Sequence, residues 1–90
     1  MKHLTLKIFG DVQGVNFRYY AKLKADELRL NGFVFNELDG AVRIEAEGID
    51  EKLKEFLNWC RQGPRWARVD RAEFEYSDKL KNFKKFEIEY

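Results

Sequence analysis

The residues best suited to chemistry lie in one short stretch, Gly10-Asp11-Val12-Gln13-Gly14-Val15-Asn16-Phe17-Arg18, and at one distant position, Asn36. The two glycines of the stretch permit positive-φ turns that point successive backbone N–H groups inward, and such a nest against a helix N-terminus suits an anion. A plain turn would also explain two glycines, and the Gly-Lys-Ser/Thr of a Walker loop is missing. Arg18 shifts the balance. A helix beginning at Phe17 puts Arg18 in its first turn, where the macrodipole disfavours a cation by about 0.3–1 kcal/mol. An anion between loop and guanidinium resolves that conflict; a surface carboxylate paired with Arg18 is the structural alternative. The planar fork of arginine suits the first reading, because it can hold two phosphate oxygens at once.

Asn36 continues a strand face that carries Val34 and Leu38, the face expected under the helices. A polar amide there needs partners, and backbone groups of a core would supply them in the structural reading. In the expected topology the start of the second strand lies at the same end of the sheet as the end of the first. That arrangement turns Asn36 toward the loop. Other chemistries are poorly supplied: Cys60 is the only cysteine and His3 the only histidine, so neither an internal disulfide nor a Cys/His zinc cluster can be assembled. No metal or cofactor is expected.

These groups must be positioned by elements that the hydrophobic periods define. Leu4, Leu6 and Ile8 alternate with polar residues as in a half-buried strand ending at Gly10. Phe17, Ala21, Ala25 and Leu28 then fall at helical spacing, with Asn31-Gly32 as the stop. Phe33 to Leu38 reads as a second strand, and Asp39-Gly40 is a two-residue hairpin signal leading into a third, Ala41 to Glu47, which makes these strands antiparallel neighbours. Asp50 is placed to cap a second helix with the stripe Leu53, Phe56, Leu57 and Cys60, stopped by Gly63-Pro64. Val69 to Tyr76 reads as a fourth strand with a bulge, since Val69 and Ala72 break strict alternation. A polar turn from Ser77 to Asn82 precedes a short final strand, Phe83 to Tyr90, in which Phe86, Ile88 and Tyr90 share a face.

The order β, α, β, β, α, β and a final short β favours an α+β fold with two helices on one face of a mostly antiparallel sheet, the ferredoxin-like sandwich. Residues 1–90 are expected to form one domain. With 44% hydrophobic and 16% aromatic residues a core forms without disulfides, and the 37% charged residues cover the outside. The 17 basic and 16 acidic side chains nearly cancel, which removes the bulk electrostatic reason to expect nucleic acid or an anionic membrane as partner. Any anion site is therefore local. The N-terminal residues already alternate polar and apolar with no signal-peptide h-region, and no apolar run approaches a membrane span. A monomer in the cytoplasm is the expectation.

Taken together, the loop Gly10 to Arg18, Gly32-Phe33-Val34-Phe35-Asn36, Asp39-Gly40-x-Val42, Gly48, Gly63-Pro64, Ala67 and Val69 resemble the acylphosphatase family over nearly the whole chain. The resemblance implies a ferredoxin-like sandwich that hydrolyses small acyl phosphates, with inorganic phosphate as product inhibitor. It implies that Arg18 binds phosphate together with Gln13, Gly14, Val15, Asn16 and Phe17, and that Asn36 orients water. Two positions depart from the usual family pattern: Asn16, where a glycine or another residue is common, and Phe35, where Lys, Arg or Gln is common. Asparagine tolerates positive φ better than most residues, so the loop survives. Phe35 alternates with Asn36 and is expected on the open face, near Phe9.

Two competing functions use the same fold. An RNA-binding module would show aromatic and basic residues on the open face of its central strands, whereas the third strand is expected to expose Arg43, Glu45 and Glu47. A catalytically idle ligand-binding module is separated from an enzyme by turnover alone. The remaining conspicuous residues read as structural. Cys60 is a small buried hydrophobe, Trp59 and Trp66 pack the corner around Gly63-Pro64, and the lysines of Lys79 to Lys85 lie on a solvated turn.

Overall fold

The computed structural model describes residues 1–90. Its elements are β1 (Lys2–Asp11), α1 (Phe17–Glu27), β2 (Asn31–Asn36), β3 (Val42–Gly48), α2 (Asp50–Gln62), β4 (Arg68–Ser77) and β5 (Phe86–Ile88). The strands form one sheet in the order β4-β1-β3-β2-β5, antiparallel except that β5 runs parallel to β2. Both helices pack on one face, burying Phe17, Ala21 and Ala25 from α1 and Leu53, Phe56, Leu57 and Cys60 from α2 against Leu4, Leu6, Ile8, Val34, Val42 and Ile44. The helical and strand periods read from the sequence therefore meet in one core. No helix is long and apolar enough to cross a membrane.

Several boundaries differ from expectation, each for a local reason. Helix α1 ends at Glu27, before Asn31-Gly32, because Arg29 adopts φ 59° and the N–H groups of Leu30 and Arg29 bond back to the carbonyls of Ala25 and Asp26. That pattern is a Schellman stop, here with an arginine where glycine is the usual residue. Gly32 instead lies in β2, where a Cβ would collide with the carbonyl of Glu45 on β3. Ile49, not Asp50, occupies the N-cap of α2 and makes no side-chain cap bond; Asp50 and Glu51 favour the macrodipole from the first turn.

The turn between β2 and β3 is one residue longer than a two-residue hairpin. Gly40 N–H bonds to the Glu37 carbonyl, Glu37 N–H to the Ala41 carbonyl, and Leu38 projects fully into solvent, away from the helices. In β4, Phe9 opposes Arg71 and Gly10 opposes Val69, so Asp70 is the extra residue of the expected bulge.

The face opposite the helices is not open along its whole length. Residues 78–85 join β4 at one edge to β5 at the other and must cross this face. Glu47 accepts the N–H groups of Lys81 (2.6 Å), Asn82 (2.9 Å) and Phe83 (3.4 Å), and Lys81 Nζ reaches Glu45 Oε1 at 2.8 Å. Glu45 and Glu47 are thus buried rather than exposed, and the lysine-rich segment, its lysines solvated as expected, is a strap across the face rather than a simple turn. Phe35 packs on Phe33, at 5.8 Å between ring centroids, and not on Phe9, whose ring lies between Lys7 and Arg71. Trp59 packs on Phe17 and Phe56 as expected, but Trp66 is largely exposed.

Candidate active site

The segment from Val12 to Asn16 turns the chain from β1 into α1. Buried Val12 and half-buried Val15 anchor it to the core, while Gly14 (φ 75°) and Asn16 (φ 62°) take left-handed conformations. Asn16 is the N-cap of α1 and makes no side-chain cap bond. The N–H groups of the first helical turn are therefore not capped by a side chain at the residue best placed to do so, and they remain free to face an anion. Gln13 fixes the loop from outside: its Nε2 donates to the carbonyls of Glu37 (2.8 Å) and Ala41 (2.9 Å), tying the loop to the β2–β3 turn.

A cavity of about 240 Å³ opens at this junction, lined by Gly14, Asn16, Phe17, Arg18 and Asn36, with Val12, Tyr19, Ile88 and Tyr90 completing the wall. Of the residues expected around the phosphate, Gln13 and Val15 do not line it; their side chains brace the loop instead. Arg18 makes neutral contacts. Its Nη1 donates to the Glu89 carbonyl at 3.2 Å, and its guanidinium carbon lies 4.8 Å from the centre of the Tyr90 ring. The expected structural alternative, an ion pair with a carboxylate, is not what holds it.

Asn36 faces the same cavity for a reason of topology that differs from the expected one. Asn36 opposes Val42, and Val42 opposes Ile8, so it is the end of β2, not its start, that lies level with the end of β1. Its Oδ1 is buried and has no hydrogen-bond partner, so backbone groups of the core do not satisfy it. A buried acceptor left free costs about 1–3 kcal/mol. Glu37 Oε2 also lacks a hydrogen bond but lies 3.3 Å from Lys7 Nζ, which compensates its charge.

Tyr19, Ile88 and Tyr90 were not among the expected site residues. Ile88 and Tyr90 arrive because β5 pairs with β2, Val34 opposing Ile88. The alternation of Phe86, Ile88 and Tyr90 marked a common face; that this face ends at the loop depends on a pairing across some 50 residues of chain. Cys60 stays out of the chemistry: it is fully buried in α2, and burial pushes its thiol well above the ordinary range. The cavity wall thus offers one cation, backbone N–H donors and the amides of Asn16 and Asn36, with no side chain of aspartate, glutamate, histidine or cysteine. Such a set can hold an anion and orient a neutral nucleophile, and it suits a reaction whose leaving group needs no proton.

The family model described as Acylphosphatase matches residues 4–88. The chain is 43% identical over 90 residues to an acylphosphatase of Bacillus licheniformis, covering all of both chains. It is 39% identical over 87 residues to one of Salinibacter ruber, covering 97% of this chain and 92% of the relative. The crystal structure of acylphosphatase from Bacillus subtilis superposes with a TM-score of 0.97 at 34% identity, covering all of both chains. Fold, matched span and full-length relatives agree, and the chain belongs to the acylphosphatase family of hydrolases.

Proposed function

We propose that this chain hydrolyses small acyl phosphates, with Arg18 and the loop N–H groups holding the phosphoryl oxygens and Asn36 orienting the attacking water. The observation that carries the reading is that Asn36 and Arg18 line one cavity, with Asn36 Oδ1 buried and left without a hydrogen-bond partner by the protein. The amide of Asn36, as part of that wall, would hold a water by a hydrogen bond and turn a lone pair of its oxygen toward phosphorus.

In the reaction the water oxygen forms a bond to phosphorus while the bond from phosphorus to the carboxyl oxygen breaks, giving a carboxylate and inorganic phosphate. Charge spreads over the equatorial oxygens, where Arg18 and the N–H donors stabilise it. A departing carboxylate has a pKa of about 4 and leaves without a general acid. No side-chain base lines the cavity, so the water's proton passes to a phosphoryl oxygen. Inorganic phosphate binds where it is formed and inhibits competitively.

A lone, unpaired Cys60 fits the reducing cytoplasm. Against a nucleic-acid surface on the strand face stands the strap, whose Phe83 packs edge-on against Phe33 at 5.6 Å.

Benzoyl phosphate hydrolysis, followed with and without a chelator, tests the reading. Turnover should persist with the chelator, and Asn36→Ala should reduce kcat by roughly 10² to 10³, as loss of one positioned polar group does, with little change in inhibition by phosphate. Near-normal kcat in Asn36→Ala would remove it from the mechanism, and no turnover at all would favour an idle ligand-binding module.

A further inference from the structure

We infer that Tyr19, Ile88 and Tyr90 form the subsite for the acyl group, and that it selects neutral, apolar acyl phosphates, aromatic ones above all, over small or anionic ones. The inference rests on the phosphate assignment above and concerns the part of the cavity that assignment leaves unused. The acyl carbon is two bonds from phosphorus, so the acyl group must begin inside the same cavity of about 240 Å³. That volume lies below the roughly 300–1,000 Å³ of drug-sized sites, which limits the substrate to a phosphate with a small organic group.

The chemistry of the wall narrows the class further. Arg18 is the only charged side chain lining the cavity, and the phosphoryl group occupies it. A second carboxylate on the acyl group would lose water without gaining a cation, a poor exchange in a partly enclosed site. Beyond the loop, Phe17 and Asn36, what remains are the rings of Tyr19 and Tyr90 and the branched aliphatic side chain of Ile88. The Tyr90 side chain is fully exposed apart from its contact with Arg18, and Tyr19 is half-exposed, so both present apolar surface to solvent beside the anion site. Exposed tyrosines at a cavity mouth offer area for a planar group to cover at little entropic cost.

Three substrates test the subsite: benzoyl, acetyl and succinyl phosphate, each assayed for kcat/KM with the parent, Tyr90→Ala and Tyr90→Phe. Covering about half of a phenyl ring is worth roughly tenfold. The benzoyl-to-acetyl ratio should therefore fall about five- to tenfold in Tyr90→Ala and stay close to the parent's in Tyr90→Phe, and succinyl phosphate should be the poorest substrate of the parent. An unchanged ratio in Tyr90→Ala overturns the subsite. So does an equal loss on all three substrates accompanied by weaker phosphate inhibition, which would show that the ring serves only to position Arg18. In both cases hydrolysis by the parent leaves the functional reading standing; absence of turnover on all three sinks that reading and the subsite with it.

Discussion

Two clusters of polar groups, one buried on the strand face and one half-buried at the loop, are completed in opposite ways. On the strand face His3 lies between two carboxylates, with Nδ1 2.7 Å from Glu47 Oε2 and Nε2 3.0 Å from Glu45 Oε1. Glu47 also takes three backbone N–H groups of the strap, and Glu45 meets Lys81 and Arg43 at 2.8 and 3.1 Å. At the loop, by contrast, Asn36 Oδ1 has no partner and Arg18 leans on a carbonyl and a ring rather than a carboxylate. Charge and burial alone would single out the first cluster. Saturation of its hydrogen bonds identifies it as a device for holding the strap, whereas the unfilled capacity of the second supports the proposed reading, in which a ligand completes the network.

Arg18→Gln breaks the comparison most severely. Hydrolysis should fall by a factor of about 10³ or more, because the only cation of the cavity is lost. The ligand-free variant should melt at the parent's temperature or slightly above, since a cation in the first turn of α1 opposes the macrodipole by about 0.3–1 kcal/mol. Phosphate should raise the melting temperature of the parent and not of the variant, because only an anion bound to the folded state adds stability. Easy unfolding of ligand-free Arg18→Gln, or undiminished protection by phosphate, would make Arg18 a structural residue and move the anion site elsewhere.

Glu47→Gln should do the reverse, costing stability and sparing the chemistry. Removing the charge from a buried, multiply bonded carboxylate costs about 2–4 kcal/mol, and in a domain of this size each kcal/mol moves Tm by about 4–8 °C. Well below its Tm the variant's kcat should stay within a few-fold of the parent's. Unchanged Tm, or a loss of kcat as large as that in Asn36→Ala, would contradict the division of labour between the clusters.

The two clusters also differ in how legible they are in the sequence. Arg18 and Asn36 stand out because each violates a local preference: a cation opens a helix, and an amide interrupts an apolar face. Both anomalies persist in the structure. Glu45 and Glu47 carry no such signal, since alternation tells which face a strand residue takes but not what later covers it; the strap comes from 78–85, more than 30 residues downstream. Ile88 and Tyr90 were missed for the same reason, as the parallel β2–β5 pairing follows from that crossing. The stop of α1 misled in another way. Asn31-Gly32 has the composition of a helix end, while the residue that takes the left-handed turn, Arg29, has none of it.

Acid titration gives a smaller and more discriminating effect. Burial alone would raise the Glu47 carboxyl, but the backbone N–H of Lys81, the His3 ring and the N–H groups of Phe83 and Asn82 together outweigh it and hold the pKa below its ordinary value. Glu45 is lowered in the same way, with Lys81, Arg43 and His3 overcoming its burial. A carboxyl depressed in the folded state contributes stability that is fully present above the unfolded pKa, about 4.3 for glutamate, and is lost as pH falls through the folded value. The Tm gap between the parent and Glu47→Gln should therefore be fully present at about pH 5 and shrink below about pH 4. Replacing Asn36 by Ala should show no such dependence, because that side chain does not titrate in this range. A gap that widens in acid would mean that protonated Glu47 holds the strap better than the carboxylate does, and the saturated cluster would then be frustrated, as the loop is.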